Sequence, residues 1–347
     1  MKIGLISDLH FGVKHSDDGF FASQLKFLRE RFLPALRKEK VDSVFILGDV
    51  FNDRKSISVK MLDATTKFFR DEMAEFETHI IVGNHDMYLS TSTDVNSVNC
   101  LSYLSPNIHV HLRVERVGDF LMVPWLDKTN LEEARRYLAS PDRPPYALGH
   151  LETPGFGTPE DETRPEPSAD EWVAAFKRTF SGHIHTPGVK TMGDNEYRLL
   201  GAPWQLTRAD RDGARGAYIY DTKMNSLEFI ENDVSAKFVE IRWPEEPNAD
   251  LISGNMVDVL VDSAEFSKAG EEFDAWMKRI NELKPLGEPV VQVVKANEEK
   301  FEVAVENKTM RQVLSEYLAT RTDLDPKDRA AAERELESLL AECEGRS

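Results

Sequence analysis

The chain has 347 residues, a net charge of −18 and two cysteines. That length exceeds one minimal core and fits one large domain with one or two small ones. The charge excludes a protein that holds nucleic acid mainly by bulk attraction, and two distant cysteines, Cys100 and Cys343, exclude a disulfide framework or a thiolate zinc site.

Lys2 to Ser7 reads as a strand ending in Asp8-Leu9-His10. A helix is expected from about Phe20, with Leu25, Leu28, Phe32 and Leu36 on one face and Pro34 kinking or resetting it. A strand over Ser43 to Leu47 delivers Gly48-Asp49, and the polar loop Asn52 to Lys55 leads to a helix over Ile57 to Ala74 with Met61, Thr65, Phe68 and Phe69 inward. The apolar run His79 to Val82 then ends in Gly83-Asn84-His85-Asp86. This β-α-β-α-β alternation, with polar side chains at the carboxyl ends of the strands, is the α/β pattern.

From Asn107 the strands shorten: Ile108 to Leu112, Val114 to Val117 and Phe120 to Val123. Leu131 to Leu138 reads as a helix, a strand from Tyr146 presents Gly149-His150, and Thr153 to Pro167 has loop composition. A helix over Ala169 to Lys177 precedes Gly182-His183-Ile184-His185, and hairpin-like strands follow at Gly188 to Met192, Tyr197 to Leu200, Gly216 to Tyr220 and Leu227 to Glu231. The order predicts a four-layer α/β/β/α sandwich of two mixed sheets over residues 1–235.

A small α/β capping unit is expected over 236–306, built from Val257 to Val261, a helix carrying Phe266, Phe273, Trp276 and Ile280, Val290 to Val294 and Phe301 to Val305. The region 307–347 reads as C-terminal helices, one capped by Thr309 and one starting at Asp325-Pro326 and reaching Leu340. No run approaches the ~18 apolar residues of a membrane span. Met1 leads straight into a strand without room for a signal peptide, so a cytoplasmic location is expected.

Five strand tips thus carry the metal-capable residues Asp8, His10, Asp49, Asn84, His85, His150, His183 and His185. At any one tip the pattern could be an ordinary turn; recurrence after five separate strands argues for a shared site. Imidazole, carboxylate and amide without sulfur suit manganese, iron or zinc better than magnesium or calcium. With His85 left over, seven ligands exceed what one ion needs. Two ions sharing Asp49 fit, and such a pair generates hydroxide and neutralises a phosphoryl centre in phosphoester hydrolysis. His85 could protonate the leaving oxygen, with Asp86 orienting the His85 ring or bracing the loop.

In this order the motifs resemble the signature of the calcineurin-like metallophosphoesterases. Gly12, Gly201-Ala202-Pro203 and Arg215-Gly216 make the chain similar to SbcD-type DNA repair nucleases. Met87-Tyr88 and Asn96-Ser97 make it similar to the bacteriophage recombination endonuclease subunits among them. The resemblance implies one ion on Asp8, His10, Asp49 and His185, and a second on Asp49, Asn84, His150 and His183, with His85 catalytic and manganese the usual metal. It also implies exonuclease and endonuclease action on DNA, usually as a homodimer bound through C-terminal helices to an SbcC-like coiled-coil ATPase.

Two other readings use the same fold: a phosphatase or cyclic-nucleotide phosphodiesterase acting on small substrates, and a metal-free scaffold. A tail of roughly a hundred residues beyond the first domain disfavours the first, and ligands at every tip disfavour the second. Lys14, Arg54, Lys55, Arg208, Arg211 and Arg215 are candidate DNA phosphate contacts, whereas His15, His79, His109 and His111 belong to no tip.

Overall fold

In the computed structural model, which describes residues 1–88, 92–154, 166–263 and 270–294, alternate side chains of the strands point to two different cores. Strand β1 (Lys2–Ile6), β2 (Ser43–Ile46), β3 (Glu77–Ile81) and β4 (Ile108–His111) run parallel. Val44, Ile46, Ile80 and Val82 face the helices outside, while Ile3, Leu5, Phe45, Leu47 and Ile81 face inward. This is the period of two that an extended chain imposes.

The inward residues meet a second sheet. Strand β5 (Glu115–Val117) pairs antiparallel with β6 (Phe120–Val123), which continues in parallel through β7 (Tyr146–His150), β8 (Arg178–Gly182) and β10 (Asn195–Leu199); β9 (Gly188–Met192) closes the edge antiparallel. Phe120, Met122, Tyr146, Leu148 and Phe180 complete the core between the sheets, and Leu121, Val123 and Ala147 face outward against Trp172, Val173 and Phe176. Antiparallel β11 (Gly216–Asp221) and β12 (Ser226–Glu231) extend the first sheet beyond β1. The result is two six-stranded mixed sheets face to face with helices on both outer faces.

The helices follow their sequence with one local departure. In the helix Val59–Asp71 the buried residues are Met61, Thr65, Phe68 and Phe69. The expected helix from Phe20 begins at Asp18, passes through a π-helical turn over Leu28–Phe32 and resumes at Leu33–Glu39. Pro34 has no N–H to offer the Glu30 carbonyl, and that oxygen accepts instead from Arg31 Nη1 at 3.2 Å.

A three-stranded parallel sheet follows: β13 (Phe238–Arg242), β14 (Met256–Asp262) and β15 (Val290–Val294). It has its own core of Val239, Trp243, Ile252, Val257, Val259, Val261, Trp276 and Ile280. Contacts divide the chain into Met1–Val294 and Lys295–Ser347. Phe266, the expected strand Phe301 to Val305, the C-terminal helices and Cys343 lie outside the described residues. No described helix is long and apolar enough to cross a membrane.

Candidate metal centre

The carboxyl ends of β1, β2 and β3 in one sheet and of β7 and β8 in the other converge, and the crossing is tight enough to need glycine. A Cβ on Gly182 would lie 1.9 Å from Ser7 Oγ and 2.5 Å from the Leu47 carbonyl. One on Gly83 would lie 2.2 Å from Asp49 Oδ1, and one on Gly48, at φ 89°, would lie 2.3 Å from His150 Nδ1. Four site residues that are not glycine also have left-handed backbones: Asp8 (φ 55°), His10 (45°), Asp49 (54°) and His183 (81°). Each such residue costs roughly 1–3 kcal/mol and persists only where its surroundings impose it. Here the imposition is visible: Asp8, His10 and Phe11 donate backbone N–H groups to Gly48, Asp49 and Val50 carbonyls at 3.1, 2.9 and 2.8 Å.

This geometry gathers three groups of potential ligands: Asp8, His10 and His185; His10, Asp49 and His85; and Asp49, His150 and His183, each with ligand atoms within 4.8 Å of one another. Asp49 Oδ2 lies 3.5 Å from His10 Nε2 and 3.3 Å from His150 Nε2. The Asn84 amide lies 2.9 Å from His150 Nε2 and 3.1 Å from His183 Nδ1, with Arg54 Nη2 2.8 Å away on its other side. Asp8 receives the His183 backbone N–H at 3.0 Å. Every residue expected to bind metal therefore lies in one cluster.

The donor chemistry fits divalent ions. His10 Nε2 and His185 Nε2 face each other at 3.1 Å, and His10 Nδ1 is buried without a hydrogen-bond partner. Burial lowers His10 to about 3, and burial followed by the His150 charge lowers His183 to about 3. Both therefore present the neutral lone pairs that a metal requires. Burial opposes charge on His150, yet Asp49 outweighs it and raises the imidazole to about 9. Asp49 in turn stays below the ordinary carboxylate range despite burial, because His150 and His10 face it. Positive charge is thus strongly favoured beside Asp49 Oδ2, and burial pushes up the second carboxyl, Asp8.

Asp86 braces the loops. It accepts from the backbone N–H groups of Asp49 at 2.9 Å, Gly83 at 3.0 Å and Phe51 at 3.1 Å. The His85 ring is held elsewhere, its Nδ1 lying 2.6 Å from the Asn52 carbonyl. Other positioning contacts were not legible as motif residues. The Leu47 carbonyl lies 2.6 Å from His150 Nδ1, and the buried Trp125 ring packs 4.8 Å from His183 and 6.1 Å from His150. A tryptophan just past the end of β6 is the one sequence signal that could have pointed there.

The basic candidates divide. Arg54 reaches the Asn84 amide, and Lys14 lines a groove of about 710 Å³ with Phe11, Gly12, Asn52, Ser56 and Thr207; Lys55 lies in the Asn52 to Lys55 loop. Arg208 and Arg211 pair with Asp258. Arg215 is a correction: it is 6% exposed and turned inward to the His185 carbonyl and Asp210, so it is not a phosphate contact. His79 and His111 are buried between the sheets, stacked in a cluster with His109.

Two stacked mixed sheets with paired histidine and aspartate donors at their strand ends define the class of the metallophosphoesterases. The chain belongs to the calcineurin-like phosphoesterase family, which it matches over residues 1–187. It is 24% identical to exonuclease subunit 1 of Enterobacteria phage T4, over 99% of both chains. Among solved structures it is similar to an archaeal phosphodiesterase (14% identity, 67% of this chain and 100% of that one, TM-score 0.35). A dimetal phosphatase from Danio rerio is also similar (13% identity, 63% and 91%, TM-score 0.38).

Proposed function

We propose that the chain is a two-metal DNA nuclease, with exonuclease and endonuclease activity, that works in recombination or repair as the nuclease subunit of a larger complex. One observation carries the two-metal part: Asp49 Oδ2 is placed between His10 and His150, so a single carboxylate serves two donor sets. The first set is Asp8, His10, Asp49 and His185, and the second is Asp49, Asn84, His150 and His183. The mixed imidazole, carboxylate and amide donors suit manganese, iron or zinc, and among these we assign Mn2+ from the resemblance to the SbcD-type nucleases.

The bound ions would supply an activated water and neutralise charge on the phosphoryl oxygens. The chain's own residues do the rest. His85 Nδ1 is committed to the Asn52 carbonyl, which leaves Nε2 as the position that gives a proton to the leaving oxygen. Asp86 fixes the amides of Asp49 and Gly83 and so sets the two loops on which the donors ride. Lys14, Arg54 and Lys55 offer phosphate contacts around the groove beside the site, local positive charge on an otherwise acidic chain. Arg208, although paired with Asp258, keeps a partly exposed side chain and lines a separate cavity with Lys14.

DNA as substrate rests on the end-to-end similarity to a phage protein described as an exonuclease subunit. That the phage relative is a subunit also supports a partner, which we assign as an SbcC-like ATPase bound through 307–347, with the chain homodimeric and 236–306 capping the nuclease domain. The test is digestion of linear DNA by purified protein with Mn2+, abolished by EDTA. Hydrolysis of nucleotides without action on DNA would favour a small-substrate phosphatase. Removing 309–347 is expected to spare basal cleavage and abolish partner binding; unchanged co-purification would refute that docking.

A further inference from the structure

We propose that Arg215 is a positioning residue for His185, and that Asp258 of the small sheet sets it through Arg208, Arg211 and Asp210; the inference rests on the two-ion reading above. His185 lies past the end of β8, and its carbonyl accepts from Arg215 Nη1 and from the Ala202 N–H at 3.0 Å. Arg215 is buried, so its charge needs a fixed partner. Asp210 Oδ1 provides it, 3.2 Å from Arg215 Nη2.

Asp210 is itself fully committed. Its Oδ2 accepts from the Thr207 N–H at 2.8 Å, the Thr207 hydroxyl at 3.0 Å and the Leu206 N–H at 3.1 Å. These bonds close the 3-10 turn Arg208–Asp210 and fix where Arg208 and Arg211 emerge. Both reach one carboxylate on β14. Arg208 forks it, Nε to Oδ2 at 2.6 Å and Nη2 to Oδ1 at 2.8 Å, and Arg211 Nη2 adds a third bond while its Nη1 takes Glu240 of β13.

Asp258 is 1% exposed, so its carboxylate depends on these three charge-assisted bonds for its partners, and the Arg208 fork makes the contact directional. The Gln205 side chain adds a second tie, accepting from the Phe238 N–H at 2.6 Å and donating to the Arg211 carbonyl at 3.2 Å. The segment 205–215 is therefore clamped to the small sheet at one end and to His185 at the other. Neutralising Asp258 leaves Arg208 unpaired, loosens the turn, and shifts the Asp210–Arg215 pair that supports one donor of the first set. The second set contains no His185 and is left alone.

Calorimetric Mn2+ binding to the full chain tests this, with thermal melting recorded in parallel. Wild type is expected to take two ions, and Asp258→Asn and Arg215→Lys to weaken one of them by roughly 10–100-fold, the usual cost of removing an outer support, while the other keeps its affinity. Asp258→Glu should recover part of the loss. Wild-type affinity for both ions in Asp258→Asn and Arg215→Lys overturns the proposal, as does equal weakening of both ions alongside a lowered melting temperature. A wild-type chain that binds no Mn2+ refutes the two-ion reading itself, and this inference with it.

Discussion

The backbone N–H of His85 donates to Asp49 Oδ1 at 2.8 Å, and this bond decides which Asp49 oxygen can be shared. With Oδ1 committed, Oδ2 is left between His10 and His150. The residue expected to move a proton and the residue expected to bridge two ions are thereby fixed to each other through the backbone. His85 can lose its ring without disturbing that bond.

His85→Ala is accordingly expected to keep both ions and DNA binding while kcat on DNA falls by about 10²–10⁴-fold, the span of a lost general acid. Metal analysis beside a single-turnover cleavage assay checks it. Loss of an ion from this variant would make His85 a ligand.

Removing the Asp86 carboxylate has a different outcome. Asp86→Ala strands three backbone N–H groups, those of Asp49, Gly83 and Phe51, each costing about 1–3 kcal/mol when buried and unpaired. Chemical denaturation should show a large loss of stability together with weaker metal binding. A variant as stable as wild type would show that the brace is dispensable.

Gly83→Ala tests the close approach of β2 and β3. The added Cβ would lie 2.2 Å from Asp49 Oδ1 and 2.4 Å from the Asp49 nitrogen, so the bridging carboxylate must move. We expect a folded protein, by circular dichroism, that retains less than the wild-type content of bound metal. Full metal content would mean that the loops tolerate the displacement.

Acid stability should depend on His79, which belongs to none of the ligand groups. Its ring stacks on Phe45 and His109, lies 2.9 Å from His111 Nε2 and faces Glu77 at 3.8 Å, while Glu115 accepts from His111. Burial, and then the charges of His111 and His109, lower it from the usual 6.5 to about 3. Because the folded pKa is the lower one, the unfolded chain takes up the proton first. This stabilising contribution is complete above pH 6.5 and is lost progressively as pH falls toward 3. His79→Phe should flatten the acid limb of a stability curve measured by denaturant titration; an unchanged slope would exclude His79 as its source.

What the sequence revealed follows from periodicity. The inward residues Met61, Thr65, Phe68 and Phe69 and the sites at the strand ends were legible because spacing of 3.6 or 2 dictates which way a side chain points. Glycine before a polar tip likewise marks a close crossing, as the contacts at Gly48, Gly83 and Gly182 show. Long-range partners were not legible. A charge on Arg215 looks the same in sequence whether it meets a phosphate or, as here, Asp210 and a carbonyl. Strand β13 was not legible because its pairing with β14 is decided by tertiary contact, and the position of Trp125 just past β6 does not by itself reveal its packing on His183.

The central claim is that Asp49 is common to two cation sites, and metal stoichiometry after dialysis against Mn2+, for wild type and Asp49→Ala, tests it most directly. The account predicts two ions per chain in the wild type and the loss of tight binding at both sites in the variant. A wild-type chain holding a single ion, or an Asp49→Ala chain still holding two, would contradict it.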